Sequence, residues 1–198
     1  MLNVTKEQEP DFLLEYKKKY SPKVWGDYNK DDIKARIKEI ILVLEQNEYC
    51  PYCEKRIYSN DEGHIEHIRP RDLYPKEFQS YENFLVSCNE KNSCGMHKGN
   101  NYSEKFIDPT KENPTDYFYY NIASGEIVPK SNDENSEEYI KAKYTIEVLN
   151  LNSYELKNAR KNLIDILDVY TGENKQYLQF FLDDRHNFPT LIQMFMEL

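Results

Sequence analysis

The chain has 198 residues, a formal net charge of −9, 39% hydrophobic residues and four cysteines. No apolar run approaches the ~20 residues of a membrane span, and the opening "MLNVTKEQEPDF" lacks a basic stretch followed by an apolar one, so neither a membrane protein nor a secreted one is expected. A cytoplasmic setting keeps thiols reduced, and metal ligation then outranks disulfides.

The acidity is uneven. Residues 133–198 carry 7 basic and 12 acidic side chains, whereas residues 50–107 carry 8 and 9. The acidic total therefore leaves room for nucleic acid at the centre of the chain. It also suggests that another protein supplies part of the cationic surface such a ligand needs.

In chain order, "YKKKYSPKVWGDY" interleaves basic and aromatic residues, a pattern suited either to nucleic acid or to docking a partner, with Trp25 as an interface anchor. Ile33, Ile37, Ile40, Ile41 and Leu44 follow a helical period, which predicts a helix over 31–48 with Asp31 as its N-cap. Residues 50–107 are turn-rich and hold all the cysteines. "YFYYNIASGEIVP" reads as a hairpin turning at Ser124-Gly125, and "SNDENSEE" as a polar linker. The remainder is helical in pattern. Ile140, Tyr144, Val148 and Leu151 form one stripe. Leu156, Ala159, Leu163, Ile166, Leu167 and Tyr170 form a second, capped by Ser153 and stopped at Gly172. "NKQYLQFFLDD" and "PTLIQMFMEL" predict two more helices, the latter with Pro189 in its first turn. The expected class is α+β, with an N-terminal helical or docking segment over 1–49, a compact centre with a hairpin over 50–130, and a helical region over 131–198.

Cys50-x2-Cys53 and Cys88-x5-Cys94 are paired-cysteine knuckles. A C-x2-C turn aims two sulfurs at one point, and two such pairs make a four-thiolate structural Zn²⁺ site. Metal-free thiols are the plainer alternative. Thiols alone say nothing of catalysis, because a zinc module that only binds nucleic acid or protein would carry the same four.

Between the pairs lies "HIEHIRP". In a strand, His64 and Glu66 share one face and His67 opposes them, unless the strand bends or ends near Pro70. An imidazole next to a carboxylate suits metal-assisted phosphodiester hydrolysis, with His67 as the base that activates water and Glu66 as a ligand to a divalent cation. Asn83, in "YENFLVSC", offers an amide that can bond across the motif and orient His67.

With C-P-x-C, H-I-E-H-I-x-P, E-N-F-L-x-S-C and C-G-x-x-K in that order, residues 50–100 resemble the HNH endonuclease family. More narrowly, they resemble the HNH subunits of the Septu and retron-associated bacterial defence systems. A looser likeness extends to about residue 130. The resemblance implies a ββα-metal core, with His67 as general base, Glu66 as ligand to Mg²⁺ or Mn²⁺, Asn83 as the middle asparagine and the four cysteines on Zn²⁺. It also implies a DNA or RNA substrate and an ABC-type ATPase partner. One position departs from the pattern: Gly95 follows Cys94 where a further metal ligand is typical. His97, Asn92 and His64 are the available substitutes. Lys98, Arg69 and Arg71 are expected phosphate contacts, against the plainer reading of solvated surface cations.

Overall fold

The computed structural model describes residues 1–170 and 176–197. Its first helix, α1 (Asp11–Tyr20), was not among the expected elements; it is amphipathic, and its last turn carries Lys17, Lys18 and Lys19. Lysines there favour the negative end of the helix dipole. A 3₁₀ turn over Trp25–Asn29 leads to α2 (Ile33–Ile40). The residue preceding α2 is Asp32, in the left-handed conformation and without a side-chain capping bond, so Asp31 is not the cap.

Helix α2 runs into a single π turn over Ile41–Glu45. The wider turn rotates the face that follows. Leu42 and Glu45 are therefore buried while Leu44, which a straight helical period puts inside, is 62% exposed. Buried Glu45 accepts hydrogen bonds from Lys6 at 2.5 Å and Tyr81 at 2.6 Å.

Strands β1 (Gly63–His67) and β2 (Phe84–Cys88) pair antiparallel, with Gly63 opposite Cys88 and His67 opposite Phe84. Helix α3 (Cys94–Lys98) follows β2 and packs on it, while α2 packs against β1. The predicted hairpin is present as β3 (Phe118–Asn121) and β4 (Glu126–Pro129). Gly125 in its turn has φ +71°, and a Cβ there would lie 2.6 Å from the Lys157 carbonyl oxygen, so glycine is needed for both conformation and fit.

Helix α4 (Glu137–Val148) buries Ala142 and Thr145, whereas Ile140 is 37% exposed. Its inward face is thus rotated from the stripe its larger apolar residues suggest. Helix α5 (Tyr154–Leu167) starts as predicted, with the Ser153 hydroxyl accepting from the Leu156 amide. The expected stop at Gly172 lies outside the described residues. Helices α6 (Leu178–Asp183) and α7 (Pro189–Glu197) complete the fold, with Pro189 opening the latter.

Leu13 and Ile37, Phe84 and Ile107, and Leu156, Leu167 and Leu191 all belong to one buried apolar cluster, so the N-terminal, central and C-terminal segments share a core. The C-terminal helices close onto the first cysteine knuckle. The Phe188 amide donates to the Glu54 carbonyl at 2.9 Å, and the Arg56 amide donates to Asn187 Oδ1 at 2.7 Å. The fully buried Glu54 carboxylate receives the Met1 ammonium at 2.5 Å, the Tyr120 hydroxyl at 2.6 Å, and the amide and hydroxyl of Thr190 at 2.9 and 2.6 Å. Burial alone would raise this carboxyl; the ammonium and the hydrogen bonds hold it below its ordinary value. Removing one member of a buried, fully bonded ion pair costs about 3–5 kcal/mol. Glu54→Ala is expected to lose that much in denaturant unfolding, and Glu54→Gln, which removes the same charge and turns an amide donor toward other donors, a comparable amount.

Candidate functional site

The four cysteines converge. Their sulfurs all lie within 4.8 Å of one another, and Cys53 Sγ is 3.7 Å from Cys88 Sγ. A tetrahedral metal with sulfur bonds of about 2.3 Å requires sulfur–sulfur edges of about 3.8 Å. The donor set therefore fits a tetrahedral thiophilic metal such as zinc. The cysteines are free rather than disulfide-bonded, and all are buried. Burial, and then its sulfur neighbours, push the Cys94 thiol well above its ordinary value. A divalent cation reverses that preference by stabilising thiolates. Cys94 sits at φ +57°, and its amide donates to the Leu149 carbonyl at the end of α4.

The next residue brings the cysteine cluster against β1. A Cβ at Gly95 would lie 2.6 Å from Glu66 Oε2 and 2.9 Å from His64 Nε2. Only glycine thus lets α3 approach these two atoms so closely, and they face each other at 3.5 Å. The alternation of the strand gives His64 and Glu66 their common face, as the sequence predicts. The Gly95 amide is itself fixed, donating to Ser87 Oγ at 3.0 Å.

Glu66 is buried and charged. Its Oε1 accepts from Lys98 Nζ at 2.6 Å. Burial would raise the carboxyl, but His64 and Lys98 more than offset that and hold it below its ordinary value. Reciprocally, burial would lower the His64 imidazole, but Glu66 raises it above its ordinary value. The His64 Nδ1 is bonded to Asn89 Oδ1 at 3.0 Å, which fixes the ring.

His67 ends β1, and its Nε2 lies 3.0 Å from the Phe78 carbonyl oxygen. A carbonyl only accepts, so this nitrogen carries the proton, and in the neutral ring Nδ1 keeps a lone pair. Burial, aided by the charges of Arg71 and Lys98, lowers the ring to about 4, so it is neutral at pH 7. Edge-on contacts with Trp25 at 4.7 Å and Phe84 at 5.0 Å clamp the ring.

Asn83 bonds across the motif, though not to His67. Its Oδ1 accepts from the Arg69 amide at 2.8 Å, and its Nδ2 donates to the Arg69 carbonyl at 3.0 Å. It therefore closes the loop that begins at Pro70. That loop ends at Phe78, whose carbonyl orients His67.

Of the three substitutes for the missing ligand, only His64 meets Glu66. His97 points away, with Nδ1 3.1 Å from the Val148 carbonyl. Asn92 lies in the loop before α3, where its carbonyl accepts from Asn150 Nδ2 at 2.7 Å. Lys98 is not a surface cation: its side chain is 1% exposed, and it also donates to the His67 carbonyl at 3.1 Å. Arg69 is held by Glu77 at 3.1 Å and by the Tyr102 hydroxyl at 3.3 Å. Arg71 is exposed. Trp25, expected as an interface anchor, is half-buried and packed against His67. Nothing local to Trp25 signals that contact, because it joins residues 42 apart in sequence.

Fold and site together define a small α+β protein with two two-stranded antiparallel sheets among the described residues, and a four-cysteine cluster beside a buried Glu–His–Lys constellation. The chain is similar to the Septu protein PtuB of Bacillus thuringiensis, with 28% identity over 176 residues. That alignment takes in 87% of this chain and 63% of the relative, so the chain spans less than two thirds of the relative's length. The likeness to Septu proteins suggested by the motifs is thus met along most of the chain. No protein-family model matches it. Among the described residues, no helix is long and apolar enough to cross a membrane.

Protein purified without chelator is expected to hold about one equivalent of a metal such as zinc per four cysteines, measured by elemental analysis. Cys53→Ser is expected to lower the melting temperature of the whole domain, and a strong chelator to do the same to the parent protein, because metal binding contributes folding free energy. Metal-free protein of undiminished stability would overturn this.

Proposed function

We propose that this chain is a metal-dependent endonuclease of the HNH type, hydrolysing phosphodiester bonds in DNA or RNA within a Septu-like antiphage complex. The observation that carries the reading is the neutral, clamped His67 on the same strand as a Glu66 carboxylate and a His64 imidazole that face each other at 3.5 Å. A bound Mg²⁺ or Mn²⁺ would supply charge neutralisation at the phosphate and the leaving oxygen. Glu66 Oε2 and His64 Nε2 are the atoms that would hold it, His64 standing in for the ligand absent at position 95. His67 takes a proton from water at Nδ1 while Phe78 keeps Nε2 protonated. Lys98 holds Glu66 ionised and ties it to the His67 backbone. Asn83 maintains the loop that presents Phe78. The four cysteines on Zn²⁺ fix β2 relative to α3.

His67→Ala is expected to lower cleavage by ~10²–10⁴ in single-turnover assays while zinc content and the fold are retained. Glu66→Ala is expected to abolish the response to added Mg²⁺ or Mn²⁺. A His67 variant that cuts as fast as the parent would favour the second reading, a zinc module that binds without cutting.

The acidic C-terminal helices and the likeness to a Septu protein also support a partner, an ABC-type ATPase that supplies further cationic surface and restraint. Removing 153–198 is not a clean test, since α5 and α7 contribute Leu156, Leu167 and Leu191 to the core. Exposed apolar residues in and after α5 and in α6 are better targets: Ile166 is 50% exposed, Val169 70% and Phe180 64%. Val169→Asp with Phe180→Asp is expected to reduce recovery of a co-expressed ATPase at least severalfold without changing the melting temperature. Unchanged recovery would exclude this face.

A further inference from the structure

The 3₁₀ turn and α2 bring a second set of residues to His67 that the hydrolytic reading does not use. The Trp25 ring carries Tyr28 stacked at 5.0 Å and His67 edge-on at 4.7 Å. Two cations converge on the same ring: Lys34 Nζ lies 5.0 Å from its centroid and the Arg71 guanidinium 5.6 Å. Burial, and then the charge of Arg71, hold Lys34 below its ordinary value, as expected of like charges brought close together. Lys34 is hydrogen-bonded to the neutral Asn29 side chain at 2.6 Å. Among the described residues, neither Lys34, Arg71 nor Lys38 has a carboxylate within ion-pair distance, although acidic residues outnumber basic ones by 35 to 26 in the chain.

Trp25 also forms a ridge between two hollows. One, of about 240 Å³, is lined by Lys34, Lys38 and His64. The other, of about 310 Å³, is lined by Lys23, Arg71 and Phe78, with Asp72 at its side. Asp72 accepts from Asn100 at 2.6 Å. The hollows thus run from the ring beside Glu66 to the residue whose carbonyl anchors His67.

We propose that these hollows form the channel of one nucleic-acid strand, crossing the Trp25 ridge beside His67, with Lys34 and Arg71 binding a phosphate of that strand. Two uncompensated cations over an aromatic floor match a phosphodiester in charge and leave the strand's sequence unread. The inference rests on the nuclease reading and deepens it by adding the strand-binding surface. It assigns Lys34 and Trp25 to substrate rather than to a protein partner.

Trp25 is the single tryptophan of the chain, so its fluorescence reports on the proposed channel directly. The full chain, with its zinc and without Mg²⁺ or Mn²⁺, is titrated at low ionic strength with single-stranded oligonucleotides of about 12 residues, one DNA and one RNA. Emission is expected to change saturably with at least one of them. Lys34→Ala with Arg71→Ala is expected to weaken binding about tenfold or more. It should also flatten the dependence of log K on log salt by about 0.7, the value for one phosphate contact on a single strand. Lys34→Arg with Arg71→Lys should restore most of the affinity. Lys18→Ala with Lys143→Ala removes the same charge from exposed positions elsewhere and should change neither quantity appreciably. The proposal is overturned if neither strand alters the emission, or if the control pair weakens binding as much as the channel pair. Cleavage by the parent in Mg²⁺ together with either result would sink the channel and leave the nuclease standing. Binding as predicted without cleavage would do the reverse.

Discussion

Four sulfur atoms that must meet at one point set the geometry of everything around them. Cys50 and Cys53 come from a turn, Cys88 from the end of β2 and Cys94 from the first residue of α3. Bringing them within 4.8 Å fixes how far α3 sits from the ribbon. Only at that distance does Gly95 abut Glu66, with no room for a side chain. The close approach also buries Lys98 against Glu66. A buried carboxylate is costly unless paired and hydrogen-bonded; here Lys98 and His64 meet that requirement together. The cysteine cluster is thus a structural part of the neighbouring site, although none of its sulfurs touches Glu66 or His67 by hydrogen bond or ion pair.

The two histidines of the "HIEH" quartet are pushed in opposite directions by their surroundings. His64 is held above its ordinary value by Glu66, while His67, enclosed by Trp25 and Phe84, is lowered to about 4. Groups with contrasting environments a few residues apart are characteristic of sites where each has a separate task. In the proposed reaction, one histidine accompanies the carboxylate and the other accepts a proton.

Much of this was legible in the sequence because it depends on short spacings. The C-x2-C turn announces a shared ligand point, and strand alternation puts His64 beside Glu66. Ser153 and Pro189 mark helix starts through rules that act within one turn. What was not legible depends on packing between distant segments. The direction of His97 follows from where Cys94 is pinned to Leu149, so its ring turns to α4 instead of Glu66. Lys98 reads as a surface lysine until the ribbon folds over it. The π turn after α2 moves Leu44 outward and Glu45 inward, a change of phase that apolar periodicity does not encode. The role of Trp25 needed the tertiary contact with His67, since a tryptophan in a basic stretch is equally apt for a protein surface.

The closure of the C-terminal helices onto the first knuckle has a consequence for biosynthesis. Glu54 meets the Thr190 amide across a sequence separation of 136 residues, and Arg56 meets Asn187 across 131. Contacts of such long range form late, because chain entropy must be given up before they return any stabilisation. During vectorial synthesis, the knuckle leaves the ribosome long before α7 exists to seal it. The acid next to Cys53 therefore waits without Thr190, and the first cysteine knuckle gains its full support only when α7 has emerged. Maturation of the centre is in this way tied to translation reaching α7, and a nascent chain interrupted before that helix would carry an unsealed knuckle.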